Sequence, residues 1–124
     1  DFLTVTPNMS LGDVVVLIGN GRRNIFPVID DDGKLKGLVL MDDIRNIMFR
    51  PELYERFSVQ RFMVSAPAQI VVPLSMEETM KLFDDTKAWN LPVVDKEGHY
   101  LGMLSKSKIF NNYRETLAEL TTGD

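Results

Sequence analysis

The sequence predicts an α+β fold made of two β-α-β-β-α repeats, and three observations carry that prediction. First, residues recur at one spacing: Pro27 and Pro92, Gly33 and Gly98, Gly37 and Gly102, and Ile44 and Ile109 each lie 65 positions apart. A constant offset without gaps marks a duplicated structural unit. Second, the same offset aligns the Ser-x-x-acid run beginning at Ser10 with the one beginning at Ser75, and each can satisfy the first free amides of a helix. Third, apolar residues follow helix and strand periods in the same order in both copies.

Each element follows in turn. Residues 3–6 and 70–72 are β-branched segments close to a proline, which keeps the next helix from starting sooner. Leu11, Val14, Val15 and Ile18, and later Met76, Met80 and Phe83, recur at helical spacing. Residues 26–29 and 38–40 are continuous apolar runs, as expected of strands covered on both faces. Between the strands, "DDDG" and "DKEG" place a glycine where a hairpin needs a positive φ. A closing helix is predicted on the stripe Met41, Ile44, Ile47 and Met48, and its counterpart on Ile109, Tyr113, Leu117 and Leu120. The intervening "RPELYERFSVQRFMVSAPAQ" carries a helix-starting Pro51 and a breaking Pro67, so it reads as a structured connector. The expected boundaries are 1–49 for repeat 1, 50–68 for the connector, 69–120 for repeat 2 and 121–124 for a tail.

Composition narrows the function. A chain of 124 residues, 44% of them hydrophobic, can build one core without staples. The net charge of −4, with both signs interspersed, supplies no basic stripe, so nucleic acid is not an expected partner. The absence of cysteine excludes disulfides, thiolate catalysis and Cys-ligated zinc. No apolar run approaches the ~20 residues that cross a bilayer. The sequence enters strand-like residues directly from Asp1, and it is expected to be part of a longer polypeptide.

The pattern h-P-V-h-D-x-x-G-x-x-x-G, present at residues 26–37 and again at 91–102, resembles the CBS domain, and the tandem resembles a Bateman module. That resemblance implies two sheets packed with pseudo-two-fold symmetry, with two clefts that often hold adenine nucleotides. A narrower likeness lies in "AWNLPVVDKEGHYLGMLSKSKIFNNYRE", residues 88–115, which is similar to the second CBS repeat in the tails of bacterial ClC-family chloride channels and antiporters. "RNIFPV", "LMDDIRNIMF" and "PELYE" are similar to the first repeat of those tails. The implied setting is the cytoplasmic domain of an integral membrane protein, with a transmembrane chloride-transport domain of the same chain as partner. A homodimer is also implied, and Phe49 and Phe110 lie outside the main stripes, where a second copy would cover them.

In nucleotide-binding CBS repeats the second hairpin strand ends in Thr or Ser, with Asp three residues on. A hydroxyl and a carboxylate one helical turn apart can face one cleft, the carboxylate accepting from ribose hydroxyls while the hydroxyl and helix amides meet phosphate. Here repeat 1 offers Leu40 and Asp43, and repeat 2 offers Ser105 and Lys108, so each keeps half the pair. The resemblance brings Thr4, Val5, Thr6, Asn24 and Ile25 to the cleft of Ser105, where Lys108 would meet the phosphates of ATP, ADP or AMP. In the other cleft Asp43 would face Trp89 and Asn90, with Trp89 expected to plug the space. Asp43 also has a plainer explanation, as a negative charge near a helix N-terminus.

The remaining motifs are weaker. "GNGR", at residues 19–22, follows a helix where a phosphate loop would precede one, so a helix C-cap is expected. The acids at 30–32 lack calcium-loop spacing and suit a hairpin turn. His99 has no Cys or second His to share a metal and is expected exposed in a turn. No nucleophile motif frames Ser, His and Asp, so catalysis is not expected and no metal is assigned. The expected function is regulatory and dimer-forming. The alternatives are a nucleotide-sensing module of a soluble enzyme and a purely structural dimerisation unit.

Overall fold

The computed structural model describes residues 3–19 and 23–109. In repeat 1, helix α1 (Leu11–Gly19) precedes the hairpin of β1 (Ile25–Ile29) and β2 (Leu35–Leu40), and a short helix α2 (Met41–Ile44) follows. The connector holds a 3-10 turn at Pro51–Leu53 and helix α3 (Val59–Phe62). Repeat 2 contains β3 (Ile70–Val71), α4 (Met76–Thr86), β4 (Asn90–Val94) and β5 (Tyr100–Ser105), with residues 106–109 helical after it.

The offset of the sequence reappears in the register. Pro27 stands opposite Leu38 and Pro92 opposite Met103, and both hairpins shift register at the same point, between Val28 and Ile29 and between Val93 and Val94. β3 runs parallel to β4 through Ile70 and Val93, as Val5 does to Val28. The opening strand of repeat 1 is shorter than expected. Residues 3–6 contribute a single bridge at Val5, because Pro7 follows at once and has no amide to extend the ladder.

Both predicted helix starts form. Ser10 Oγ accepts from the Asp13 amide at 3.1 Å while Asp13 Oδ2 accepts from the Ser10 amide at 3.1 Å. Ser75 Oγ accepts from the Glu78 amide at 3.0 Å and donates to Glu78 Oε1 at 2.9 Å. Each start therefore has a first-turn amide satisfied by a side chain.

Two apolar clusters follow the repeats. Val5, Val14, Ile18, Phe26, Val28, Val39, Ile44 and Val59 form one, and Ile70, Phe83, Leu91 and Ile109 the other. The closing helix of repeat 1 departs from prediction, since regular α-helix stops at Ile44 and turns continue to residue 49. Leu40 offers no side-chain cap, and the Ile47 amide bonds three residues back to Ile44, which tightens the chain. Ile47 and Met48 nevertheless pack on the core, and the Tyr54 hydroxyl donates to the Met48 carbonyl at 2.6 Å. Tyr113, Leu117, Leu120 and Phe110, together with residues 20–22 of the expected C-cap, lie outside the described residues.

The connector docks on repeat 1 as a structured segment. Val64 and Leu38 exchange both backbone hydrogen bonds at 2.8 Å, adding a strand-like edge to β2. Glycine at 37 permits this approach, since a Cβ there would stand 2.7 Å from the Val64 carbonyl oxygen.

The two repeats meet at their turns. The Leu35 amide donates to the Gly98 carbonyl at 3.0 Å, and the Tyr100 amide donates to the Gly33 carbonyl at 2.9 Å. A shift of 65 converts one bond into the other, so the pair is two-fold related about the bridge between Lys34 and His99. Asp30 Oδ1 shapes the first turn by accepting from the Asp32 and Lys34 amides, each at 2.9 Å. Asp95 Oδ1 accepts likewise from the Glu97 and His99 amides at 2.9 Å.

Candidate functional site

The strand exits are where the repeats diverge in chemistry. In both, a backbone clamp sets the turn into the following helix: the Met41 amide donates to the Asn24 carbonyl and the Lys106 amide to the Trp89 carbonyl, each at 2.8 Å. The side chains then differ. Ser105 Oγ accepts from the Lys108 amide at 3.2 Å and so caps the second helix of repeat 2. A hydroxyl accepts through lone pairs and keeps its O–H for another acceptor. No described residue takes that hydrogen from Ser105. Half-buried Ser105 and exposed Lys108 therefore present a donor and a cation at one helix start. Leu40, in the same position of repeat 1, presents neither.

The remaining candidates divide by repeat. Val5 is buried, with its amide on Pro27 and its carbonyl on the Ile29 amide, so Thr4 and Thr6 flank a backbone edge beside β1. Ile25 pairs with Leu40 and Asn24 holds the Met41 amide, which places both at the strand exit of repeat 1. Asn90 pairs with Ser105. Among the described residues no hydrogen bond or ion pair joins Ser105 or Lys108 to Thr4, Thr6, Asn24 or Ile25.

Trp89 does not plug a cleft. Its side chain is 71% exposed, and Lys106 Nζ lies over the ring 5.5 Å from its centroid while also standing 3.8 Å from Asp84. Lys106 is seventeen residues along the same repeat, at the helix start that the Trp89 carbonyl itself clamps, so the ring is engaged locally rather than across the module. Asp43 is exposed on α2 and makes no polar contact with Trp89 or Asn90 among the described residues. It stays in the first turn, where a negative charge complements the helix amides.

The turn residues have structural employment. Asp30 is held below its ordinary value of 3.8 chiefly by the Lys34 amide, and Asp95 below the same value chiefly by the His99 amide. His99 is half-buried rather than exposed, with Nδ1 3.0 Å from Asp95 Oδ2. Burial raises the Tyr100 hydroxyl above its usual 10.0, with Arg23 opposing. Among the described residues no group of three acids or histidines is placed to hold a metal. An open depression of about 970 Å³ lies against α4, on Met76, Met80, Lys81 and the acids Glu77, Glu78, Asp84 and Asp85. Four carboxylates beside one lysine oppose a phosphate ligand there, and none of the candidate residues lines it.

Two hairpins with one register, each preceded by a parallel backbone pairing and a side-chain-capped helix, define a tandem-repeat module. The chain belongs to the CBS-domain family, which it matches over residues 1–50 and 59–115. Among relatives, it is 33% identical over 110 residues to inosine-5'-monophosphate dehydrogenase of Bifidobacterium longum, covering 85% of this chain but only 19% of that enzyme. The solved structure of CBSX2 in complex with AMP superposes with a TM-score of 0.76 at 25% identity, covering 94% of this chain and 90% of that one. That of CbpB in complex with c-di-AMP gives 0.82 at 16% identity over 100% of this chain and 84% of that one, a likeness of fold. The tandem pair read from the sequence is thus the fold observed.

Proposed function

We propose that this CBS pair is a regulatory and dimerising module that takes an adenine nucleotide weakly on the Ser105 side, within a ClC-type chloride channel or transporter. The observation that carries the ligand assignment is the strand exit of repeat 2, where Ser105 Oγ accepts from the Lys108 backbone amide and keeps its own O–H, and where Lys108 is exposed one turn into the helix. The AMP complex of the similar CBSX2 supports the ligand class. The segments at 88–115 and 23–55 support the transporter as parent. Regulation would act by population shift, the nucleotide biasing the transporter only by its differential affinity for two states. Calorimetry tests the site. ATP is expected to bind more tightly than adenosine, and Lys108→Ala to weaken ATP by about ten- to 150-fold, the equivalent of one charge-assisted hydrogen bond. Equal affinities for ATP and adenosine would remove the phosphate contact from the reading.

A second parent is favoured by the 33% identity to the dehydrogenase, in which the same module would sense nucleotide for a soluble enzyme. The natural polypeptide around residues 1–124 separates the two, since apolar segments of ~20 residues ahead of the module support the transporter and a catalytic domain around it supports the enzyme.

A further inference from the structure

The repeats differ at one sheet edge, and the difference identifies a docking site. In repeat 1, Pro27 opposes Leu38 and has no amide, so the Leu38 amide and carbonyl turn outward, where Val64 takes both. In repeat 2, Pro92 opposes Met103 in the same register, so the Met103 amide and carbonyl also turn outward. No described residue meets them: β5 ends the sheet order, and Leu101 beside it is 57% exposed. Glycine behaves consistently with this. Gly37 is needed because the Val64 carbonyl oxygen would stand 2.7 Å from an added Cβ, whereas at Gly102, whose positive φ of 157° itself favours glycine, no described residue comes within 4 Å. Repeat 2 thus keeps the clearance without the strand that uses it.

We infer that the outer edge of β5 receives, antiparallel at Met103, the stretch of polypeptide that leads into repeat 1. Val64 belongs to the segment leading into repeat 2 and pairs with repeat 1. The two-fold relation seen at the facing turns converts this into a segment leading into repeat 1 that pairs with repeat 2, and the offset of 65 sets its pairing residue two places ahead of Asp1. The inference rests on the reading that the module sits inside a longer polypeptide. It gives that reading a route, because the strand arriving from the regulated domain would be hydrogen-bonded to the repeat that carries Ser105.

Backbone hydrogen exchange tests it in residues 1–124 and in the natural polypeptide extended upstream by one strand's length. A third version joins a copy of residues 60–68 ahead of Thr4, to which Gln69 corresponds, and needs no knowledge of the natural upstream residues. The expected result is that the Met103 amide exchanges faster than Leu38 in residues 1–124 and slows by at least about tenfold in both extended versions. Slowing with the copied segment but not the natural one overturns the assignment of the occupant, and slowing with neither overturns the site. Met103 already protected in residues 1–124 also overturns it, with dependence on protein concentration identifying a second copy as the cover. An upstream region without a transport domain would refute the transporter reading while leaving the exchange result unaffected.

Discussion

Replacing Gly98 probes a backbone contact between the two repeats. Gly98 sits at φ 93° in the turn whose carbonyl receives the Leu35 amide, and a Cβ added there meets no described atom within 4 Å. The cost of Gly98→Ala is therefore backbone strain without a clash, about 1–2 kcal/mol for an L-residue in the left-handed region. For a domain of this size that lowers the melting temperature by roughly 3–10 °C. Asn tolerates this conformation better than Ala, and a β-branched residue tolerates it worse. Urea unfolding should accordingly rank Gly98 as most stable, then Asn, Ala and Val, with little change in the denaturant slope. A Gly98→Ala protein as stable as the parent, or Asn as costly as Val, would refute the backbone argument. Gly33, at φ 83°, is the two-fold mate. Since each turn accepts an amide from the other repeat, the double replacement should depart from additivity by about 0.5 kcal/mol or more. Strict additivity would show that the turns do not act as one unit.

Ser75→Ala removes the hydroxyl that caps α4 and should cost about 1 kcal/mol in thermal or chemical unfolding. Phe83→Ala empties a fully buried position of the second cluster and should cost about 3–5 kcal/mol, a large part of a typical domain's stability. Asp30 and Asp95 have lowered pKa values in the folded protein, so their stabilisation is complete above 3.8 and is lost as pH falls through the lower folded values. Acid unfolding monitored by circular dichroism should shift to higher pH in Asp95→Asn, and no shift would detach that carboxylate from the turn. The single tryptophan, Trp89, should be readily quenched by acrylamide, whereas blue-shifted, protected emission would contradict its exposure.

The duplicated fold was legible because its determinants are local. Ser10 and Ser75 satisfy amides within their own first turns, Gly33 and Gly98 supply positive φ within their own hairpins, and Pro27 and Pro92 dictate which way the facing residues turn their amides. Identical local rules at a fixed offset give identical elements wherever they fall in the chain. The candidate site was legible in part, since the contrast of Leu40 and Ser105 is written in the sequence and reappears as one uncapped and one capped helix start. The closing helix of repeat 1 is shorter than its apolar spacing suggests, because that spacing marks which residues face the core and not whether each peptide completes a four-residue hydrogen bond, as Ile47 does not. Trp89 departs from expectation for a different reason. A large ring beside a strand suggests burial, but whether the rest of the module covers it is decided in space, and here the ring is left largely exposed beside Lys106. The same holds for Val64 against Gly37 and for the open edge at Met103. Backbone pairing between segments distant in sequence is decided by tertiary packing, because the amides and carbonyls involved are the same in every residue except proline.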